Sequence, residues 1–407
     1  MEFQELFISV GNMLGIIFPL ILPILLGFVV FNLWVNYARA KFASEQKYTL
    51  IRIIPPREVT KSPAAMELFI TSLNQTGGEA NKKDVYWKGK SRATFALEIA
   101  SIGGDVGFYV WTRESLRPYI EGQIYAQYPG IEVVEVEDYV EKIDYESGEY
   151  TMFGLEYKLT QPDPVPIKTY VDYGLDKSSE ENEKVDPITS TLEFMGGLKP
   201  GENAWIQINI KAHKKEDKKS GKFFEKTDNW VDESKQMVAE IKKEGVYKDP
   251  DDKEARPFSM QTKAQEEKIT AIERNITKLG FDVGIRSIYI AENDAFIGPN
   301  IPGLIGSFRQ YGSNNLNSFK PAKVTDFDYW WQDPTKKRLV KLKQQMFNDY
   351  KKREYFGTKI DKMPRQKFIL NTEELATIFH FPGGVASTPT LTRIQSRKGE
   401  APTNLPM

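Results

Sequence analysis

The chain has no cysteine and only two histidines, His213 and His380, among its 407 residues. The first absence excludes a disulfide framework, and the two together exclude zinc sites of the common Cys/His types. A His-based nucleophilic triad would have to use one of these two imidazoles. His213 opens a lysine-rich stretch, which predicts a solvated side chain. His380 follows a short helix that Thr372 would cap, which predicts a cation at a helix C-terminus. A phosphate loop is also missing. That loop needs a glycine at its first position so that backbone N–H groups can wrap the phosphates. Gly89-Lys90-Ser91 has only the tail of the motif, with Asp84 at the first-glycine position, and Gly221-Lys222 has Glu216 there and Phe223 after it. Carboxylates are plentiful, but no spacing singles out a catalytic pair. No enzyme activity, cofactor or metal is therefore expected, and a hydrolase working through carboxylates alone is the rival reading.

A net excess of either charge is lacking as well: the formal charge is −1. That sum hides segregation, since Glu132 to Glu149 is acidic and Lys336 to Lys367 is basic. Such asymmetry points to docking faces or an anionic partner and says nothing about the fold.

What the chain does have is a segment without charge from Leu6 to Ala38. A helix needs about 20 apolar residues to cross the hydrocarbon layer, and this stretch supplies them. A secretory signal has a basic front and a core of about 7–15 apolar residues, whereas this front carries Glu2 and Glu5 and the core is longer. The expected element is an uncleaved anchor, in which Pro19 and Pro23 are tolerated. Trp34 and Tyr37 fall at its C-terminal end, where aromatic rings favour the membrane interface, and Arg39, Lys41 and Lys47 follow. The positive-inside bias then predicts a single-pass protein of the cell membrane, with a short N-terminal tail outside and the large body in the cytoplasm.

Beyond the anchor, 40% hydrophobic residues and 12% aromatics are enough to build real cores. Tyr48 to Ile54 reads as a strand, and Ser62-Pro63 starts a helix with Met66, Phe69, Ile70 and Leu73 on one face. Phe95, Leu97 and Ile99 alternate as a half-buried strand does, and Gly103-Gly104 turns the chain into Val106 to Trp111. A helix near 115–128 and strands at 131–136 and 152–159 follow. The pattern partly recurs in the strand 204–210, the helix 264–279 and the strand 283–291, with a charged insertion at 213–257 carrying one helix. The expected fold class is α+β: one transmembrane helix, tandem ferredoxin-like α+β modules and a basic C-terminal helix. The expected divisions are anchor 1–45, first module 46–165, linker 166–202, second module 203–325, and basic helical segment with extended tail 326–407.

The basic helix carries Lys336, Lys337, Arg338, Lys341, Lys343, Lys351, Lys352 and Arg353, flanked by Trp330, Trp331, Phe347, Tyr350, Tyr355 and Phe356. Cations neutralise phosphates and aromatic faces stack bases, so nucleic acid is one expected partner. Anionic lipid is another, at about 1 kcal/mol per Lys or Arg near the surface. A solvated helix face is the bland alternative.

These residues give the chain a resemblance to bacterial membrane-anchored proteins of type IV secretion and conjugation, in which an anchor and an uncharacterised α+β region precede an ATPase domain. The stretches that carry it are Lys61-Ser-Pro-Ala-Ala-Met-Glu67, Phe95 to Tyr109, Ile124 to Pro129 with Val136 to Tyr139, Gly306 to Tyr311 with Asn317 to Pro321, and Leu370 to Pro382 followed by Ser396-Arg-Lys and Pro402 to Pro406. No Walker motor follows them in this sequence. The resemblance implies an accessory, non-catalytic scaffold or docking subunit beside a separate ATPase, with self-association as a further option.

Overall fold

A computed structural model describes residues 2–56, 59, 61–77, 79, 81–177, 185–214, 217–218, 226–244, 246–247, 258–259, 261–327, 329–356 and 366–383. The expected extended tail, with its Ser396-Arg-Lys and Pro402 to Pro406 stretches, lies outside these residues. The chain separates into two compact units. One is Met1–Lys47 with Thr76–Ala93, and the other is Tyr48–Gln75 with Thr94–Met407.

In the first unit, α1 (Glu2–Ser44) is one continuous helix despite Pro19 and Pro23. Its Ile21–Ser44 portion is long and apolar enough to cross a membrane, with mean hydropathy 1.8 and only 11% of its most apolar window buried. Residues 21–34 of this portion are exposed, whereas Val35 and Ala38 are buried. α1 is the one such helix among the described residues.

The second unit begins with β1 (Tyr48–Ile54) and α2 (Pro63–Ser72); α3 (Lys82–Tyr86) belongs to the first unit. Then come β2 (Thr94–Ile102), β3 (Asp105–Arg113), α4 (Arg117–Gln127) and β4 (Glu132–Val136). Proline at the first helical turn starts both α2 and α4. The β2–β3 hairpin turns on Gly103 and Gly104, at φ +59 and +93, because a two-residue turn of matching twist needs left-handed backbone at both positions.

The pattern repeats as β5 (Tyr150–Leu159), α5 (Ile188–Gly196) and β6 (Glu202–Ala212). An insertion follows, carrying β7 (Asp217–Lys218), β8 (Lys226–Thr227), α6 (Asn229–Glu244), β9 (Val246–Tyr247), β10 (Phe258–Ser259) and α7 (Lys263–Asn275). The core then resumes with β11 (Gly280–Glu292), α8 (Asn300–Gly306) and β12 (Phe319–Val324). After α9 (Lys337–Lys351), β13 (Phe368–Asn371) and α10 (Thr372–Ile378) complete the described chain. The fold is α+β.

All the long strands share one nine-stranded sheet in the order β12-β5-β11-β6-β2-β3-β1-β4, with β13 also paired to β11. Each half is a βαββαβ unit with antiparallel order 4-1-3-2, the ferredoxin-like arrangement, and the halves join through β2 and β6. The order therefore reads the same from either end. This places two expected boundaries differently. The strand at 150–159, expected to close the first module, is the first strand of the second and pairs with β11 and β12. The expected linker contains α5, which buries Ile188, Leu192 and Met195. Pro162 to Pro166 had the look of a boundary, but it is a turn inside the second module.

Alternation decides the two faces of the sheet. Phe95, Leu97 and Ile99 of β2 and Ile206, Ile208 and Ile210 of β6 line one face, which the helices cover. There Phe108 meets Phe379 and Phe381 edge-on, and Phe381 does the same to Tyr128. The opposite face carries Leu50, Tyr109, Met152, Trp205 and Ile288, and α9 closes it with Met346, Phe347 and Tyr350.

Candidate docking surface

α9 exists because Leu339, Leu342, Met346 and Tyr350 recur at helical spacing beneath a charged face. Met346 and Tyr350 are fully buried against the sheet, while Lys336, Lys337, Arg338 and Lys341 remain exposed and Lys343 is half-buried. Burial lowers the Lys343 pKa, opposed by the charge of Asp326. Among the described residues, Lys336, Lys337 and Lys341 have no carboxylate within ion-pair range. Arg338 bonds the Gln332 carbonyl at 3.1 Å and lies 5.6 Å from the Phe327 ring. Tyr329 and Trp331 stack at 4.5 Å and are both exposed beside these cations.

The C-terminal half of the basic run behaves differently. Lys351 lies 3.7 Å from Glu141, and a cavity of about 300 Å³ between this helical stretch and the acidic segment is lined by Glu141, Asp144, Tyr145, Glu146, Phe347 and Lys351 among others. Lys352 is exposed. Arg353, expected on the anion-binding face, is turned inward. The helix stops at Lys351, and Arg353 takes a left-handed φ of +51 just past its end, a position that usually selects glycine. That turn sends the guanidinium under the sheet. Its Nε and Nη2 donate to Glu98 at 3.1 and 3.2 Å, its Nη2 donates to Asp138 Oδ1 at 2.9 Å, and its Nη1 donates to Asp138 Oδ2.

Glu98 is fully buried and also accepts from the Tyr139 hydroxyl at 2.8 Å and Gln207 Nε2 at 2.7 Å. Tyr139 in turn shares a 2.7 Å hydrogen bond with Tyr350. Burial first, and the charge of Glu98 second, hold both phenols well above their ordinary pKa. The acidic and basic runs thus partly neutralise each other inside the molecule, while among the described residues Lys336, Lys337, Lys341 and Lys352 stay exposed without a carboxylate partner.

The histidines depart from expectation in one case of two. His213 is not solvated: its Nδ1 lies 2.7 Å from Asp282 and its Nε2 3.3 Å from Asp228. Burial opposes its charge, yet the hydrogen bond and charge of Asp282, then those of Asp228, raise its pKa. Nearby Asp163, pushed up to about 6 chiefly by burial, accepts the Ile369 N–H. His380 does cap a helix end, with Nδ1 at 2.9 Å from the Ala376 carbonyl and Nε2 at 3.0 Å from Asp186. The N-cap of α10 is Asn371, one residue before the expected Thr372. It forms a capping box with Glu374.

A second ionic cluster escaped sequence reasoning. Glu67 on α2 binds Lys278 Nζ at 2.6 Å, the Thr372 hydroxyl at 3.1 Å and the Tyr170 hydroxyl at 2.6 Å. Buried Glu373 meets Arg274 at 3.1 Å and Lys278 at 2.9 Å. Glu374, pushed up to about 8 by burial, receives the Ile167 and Asn371 N–H groups on its two oxygens. The only available signal was that Lys61 to Glu67 and Leu370 to Pro382 are both motif-like; nothing in their spacing shows that they meet.

At the C-terminal end of α1, Trp34, Tyr37, Arg39 and Lys41, expected at a membrane interface, occupy its last turns. Trp34 and Tyr37 are exposed, with ring centroids 6.1 Å apart. Trp34 Nε1 donates to the Tyr86 carbonyl at 3.1 Å. Gly89 explains the false phosphate loop: at φ +63 it sits against α1, where a Cβ would fall 2.2 Å from the Ala38 carbonyl. Asp84 holds Lys88 at 2.9 Å and Lys90 at 3.7 Å.

A domain of unknown function, DUF8128, matches residues 38–393. The chain belongs to the DUF8128 family. The DUF8128 region runs from the end of α1 through the whole double sheet and past α10. No curated protein matches the chain.

Proposed function

We propose that this DUF8128 protein is a membrane-anchored, non-catalytic docking subunit of a type IV secretion- or conjugation-like transport assembly, working beside a separate ATPase. In this reading α1 crosses the cell membrane once and the double ferredoxin-like body faces the cytoplasm. Acids before the span and Arg39, Lys41 and Lys47 after it support that orientation. The observation that carries the proposal is the bare basic start of α9. Its apolar stripe is spent on the sheet, Arg353 is engaged internally and Lys351 faces Glu141, and Lys336, Lys337, Arg338 and Lys341 project beside the exposed Tyr329–Trp331 stack. A cationic patch with aromatic anchors suits a partner surface of opposite charge.

The rival, a tethered hydrolase, receives less support. The perturbed carboxylate of Glu374 has both oxygens taken by backbone N–H groups, and Glu98 is saturated by Arg353, Tyr139 and Gln207. The test is to reverse Lys336, Lys337, Arg338 and Lys341 to Glu in the full-length protein. Site-specific crosslinks from the start of α9 to a co-expressed secretion ATPase should be lost, and neutralising Lys351 and Lys352 should leave them. A reversed variant that keeps the crosslink and supports transport overturns the proposal. Loss of binding to duplex DNA instead, with log affinity falling steeply against log salt in the wild type, would reassign the face to nucleic acid.

A further inference from the structure

The first unit contains a feature that neither the anchor nor the docking face uses. Beside the end of α1, a cavity of about 500 Å³ is lined by Phe31, Lys82, Lys83, Tyr86 and Trp87. Its walls are aromatic rings and the side chains of Lys82 and Lys83. Phe31 packs on Tyr86 at 5.5 Å between ring centroids, and Trp34 packs on Trp87 at 5.7 Å. The Trp34–Tyr86 hydrogen bond and the close seat of Gly89 on Ala38 fix this arrangement to the helix. Trp87 is 66% exposed, a large apolar area to leave facing water. At the end of a membrane span the same ring belongs at headgroup depth.

The lysines divide in a telling way. Lys88 and Lys90 are held by Asp84, whereas Lys82 and Lys83 have no ion pair among the described residues and border the cavity. We propose that this cavity is a binding site for an anionic phospholipid, with the glycerol and upper acyl chain against Phe31, Tyr86 and Trp87 and the phosphate on Lys82 and Lys83. The site rests on the reading that α1 spans the membrane. Its position fits, because Arg39 and Lys41 put the same end of α1 among headgroups.

The test uses full-length protein in vesicles of phosphatidylcholine with phosphatidylglycerol, in which one lipid or the other is brominated. Bromine quenches tryptophan on contact, and the Trp87 contribution is the difference from Trp87→Phe. Brominated phosphatidylglycerol should quench Trp87 more strongly than brominated phosphatidylcholine at equal fraction. The Lys82→Gln/Lys83→Gln variant should reduce that preference by roughly thirtyfold, the scale set by two lysines near an anionic surface. Lys88→Gln/Lys90→Gln, which removes the same formal charge, should leave the preference in place. Equal quenching by both lipids, or a preference that survives the Lys82/Lys83 change, overturns the site and reduces the cavity to an unselective interfacial belt. Membrane-integrated protein with no Trp87 quenching overturns the site but leaves the span intact. Protein recovered in the soluble fraction overturns the span itself.

Discussion

Replacing Arg353 with Met tests whether its charge is internal. Glu98 is completely buried, and two of its four donated hydrogen bonds come from this guanidinium; the others come from the neutral Tyr139 and Gln207. Removing one member of a buried pair leaves an uncompensated charge, at a cost of about 3–5 kcal/mol. Methionine keeps the stem and the left-handed backbone is unchanged in type, so the loss isolates the charge. For a chain of this size each kcal/mol moves Tm by roughly 1.2 °C, so the variant should melt about 4–6 °C lower. The assay is circular dichroism melting of the full-length protein in nonionic detergent. Adding Glu98→Gln should recover more than half of the loss, since removing both charges avoids the orphaned carboxylate. A drop below about 1 kcal/mol, or a double variant as unstable as the sum of the singles, would show that Arg353 is not the counter-ion of Glu98.

Other outcomes follow from the same structure. Deleting residues up to Tyr37 should give a soluble fragment with the α+β far-ultraviolet signature, because the sheet starts at Tyr48; insoluble, unfolded material would contradict this. Gly89→Ala should disturb the packing of Gly89 on Ala38 without altering nucleotide behaviour, and saturable ATP binding abolished by Lys90→Ala would refute the absence of a phosphate loop. His213 has a raised folded-state pKa, so its stabilisation is full below its unfolded value of about 6.5 and is lost as pH rises through the folded value. The Tm gap between wild type and His213→Gln should therefore shrink as pH rises above neutral, whereas Glu374 titrates in both proteins and cancels; a gap independent of pH would refute the Asp282–His213–Asp228 arrangement.

Much of the fold was legible because its signals are local. Alternation at Phe95-Leu97-Ile99, proline at the first turn of α2, and Ile269 and Ile272 on one helical face each follow from a few neighbouring residues. A second module was expected from β6, α7 and β11, but α7 lies in the insertion and the helices of that module are α5 and α8. The assignment of β5 to the first module failed because strand order is set by pairing partners more than a hundred residues away. Arg353 failed differently. Charge composition cannot tell a helix surface from a left-handed turn that reverses a side chain one residue past the last helical turn. His213 met Asp282 and Asp228 only through tertiary pairing, and the meeting of Glu67 with Lys278 and Thr372 had no signal in spacing at all.

The mirrored strand order has a consequence for what can stand at its centre. Glu98 and Gln207 face each other directly in the β2–β6 pairing, where the two halves meet. Two identical subunits joined through this edge would have to set each residue at the midpoint against its own copy, and a carboxylate there would confront a second carboxylate. A single chain that carries both halves is released from that constraint. It can oppose an acid with an amide, direct one arginine to one side only, and extend the β6–β11 connection with α6 and α7 while its counterpart stays a two-glycine turn. Covalent linkage thus lets a twofold scaffold hold an asymmetric interior and present unlike surfaces at its two ends.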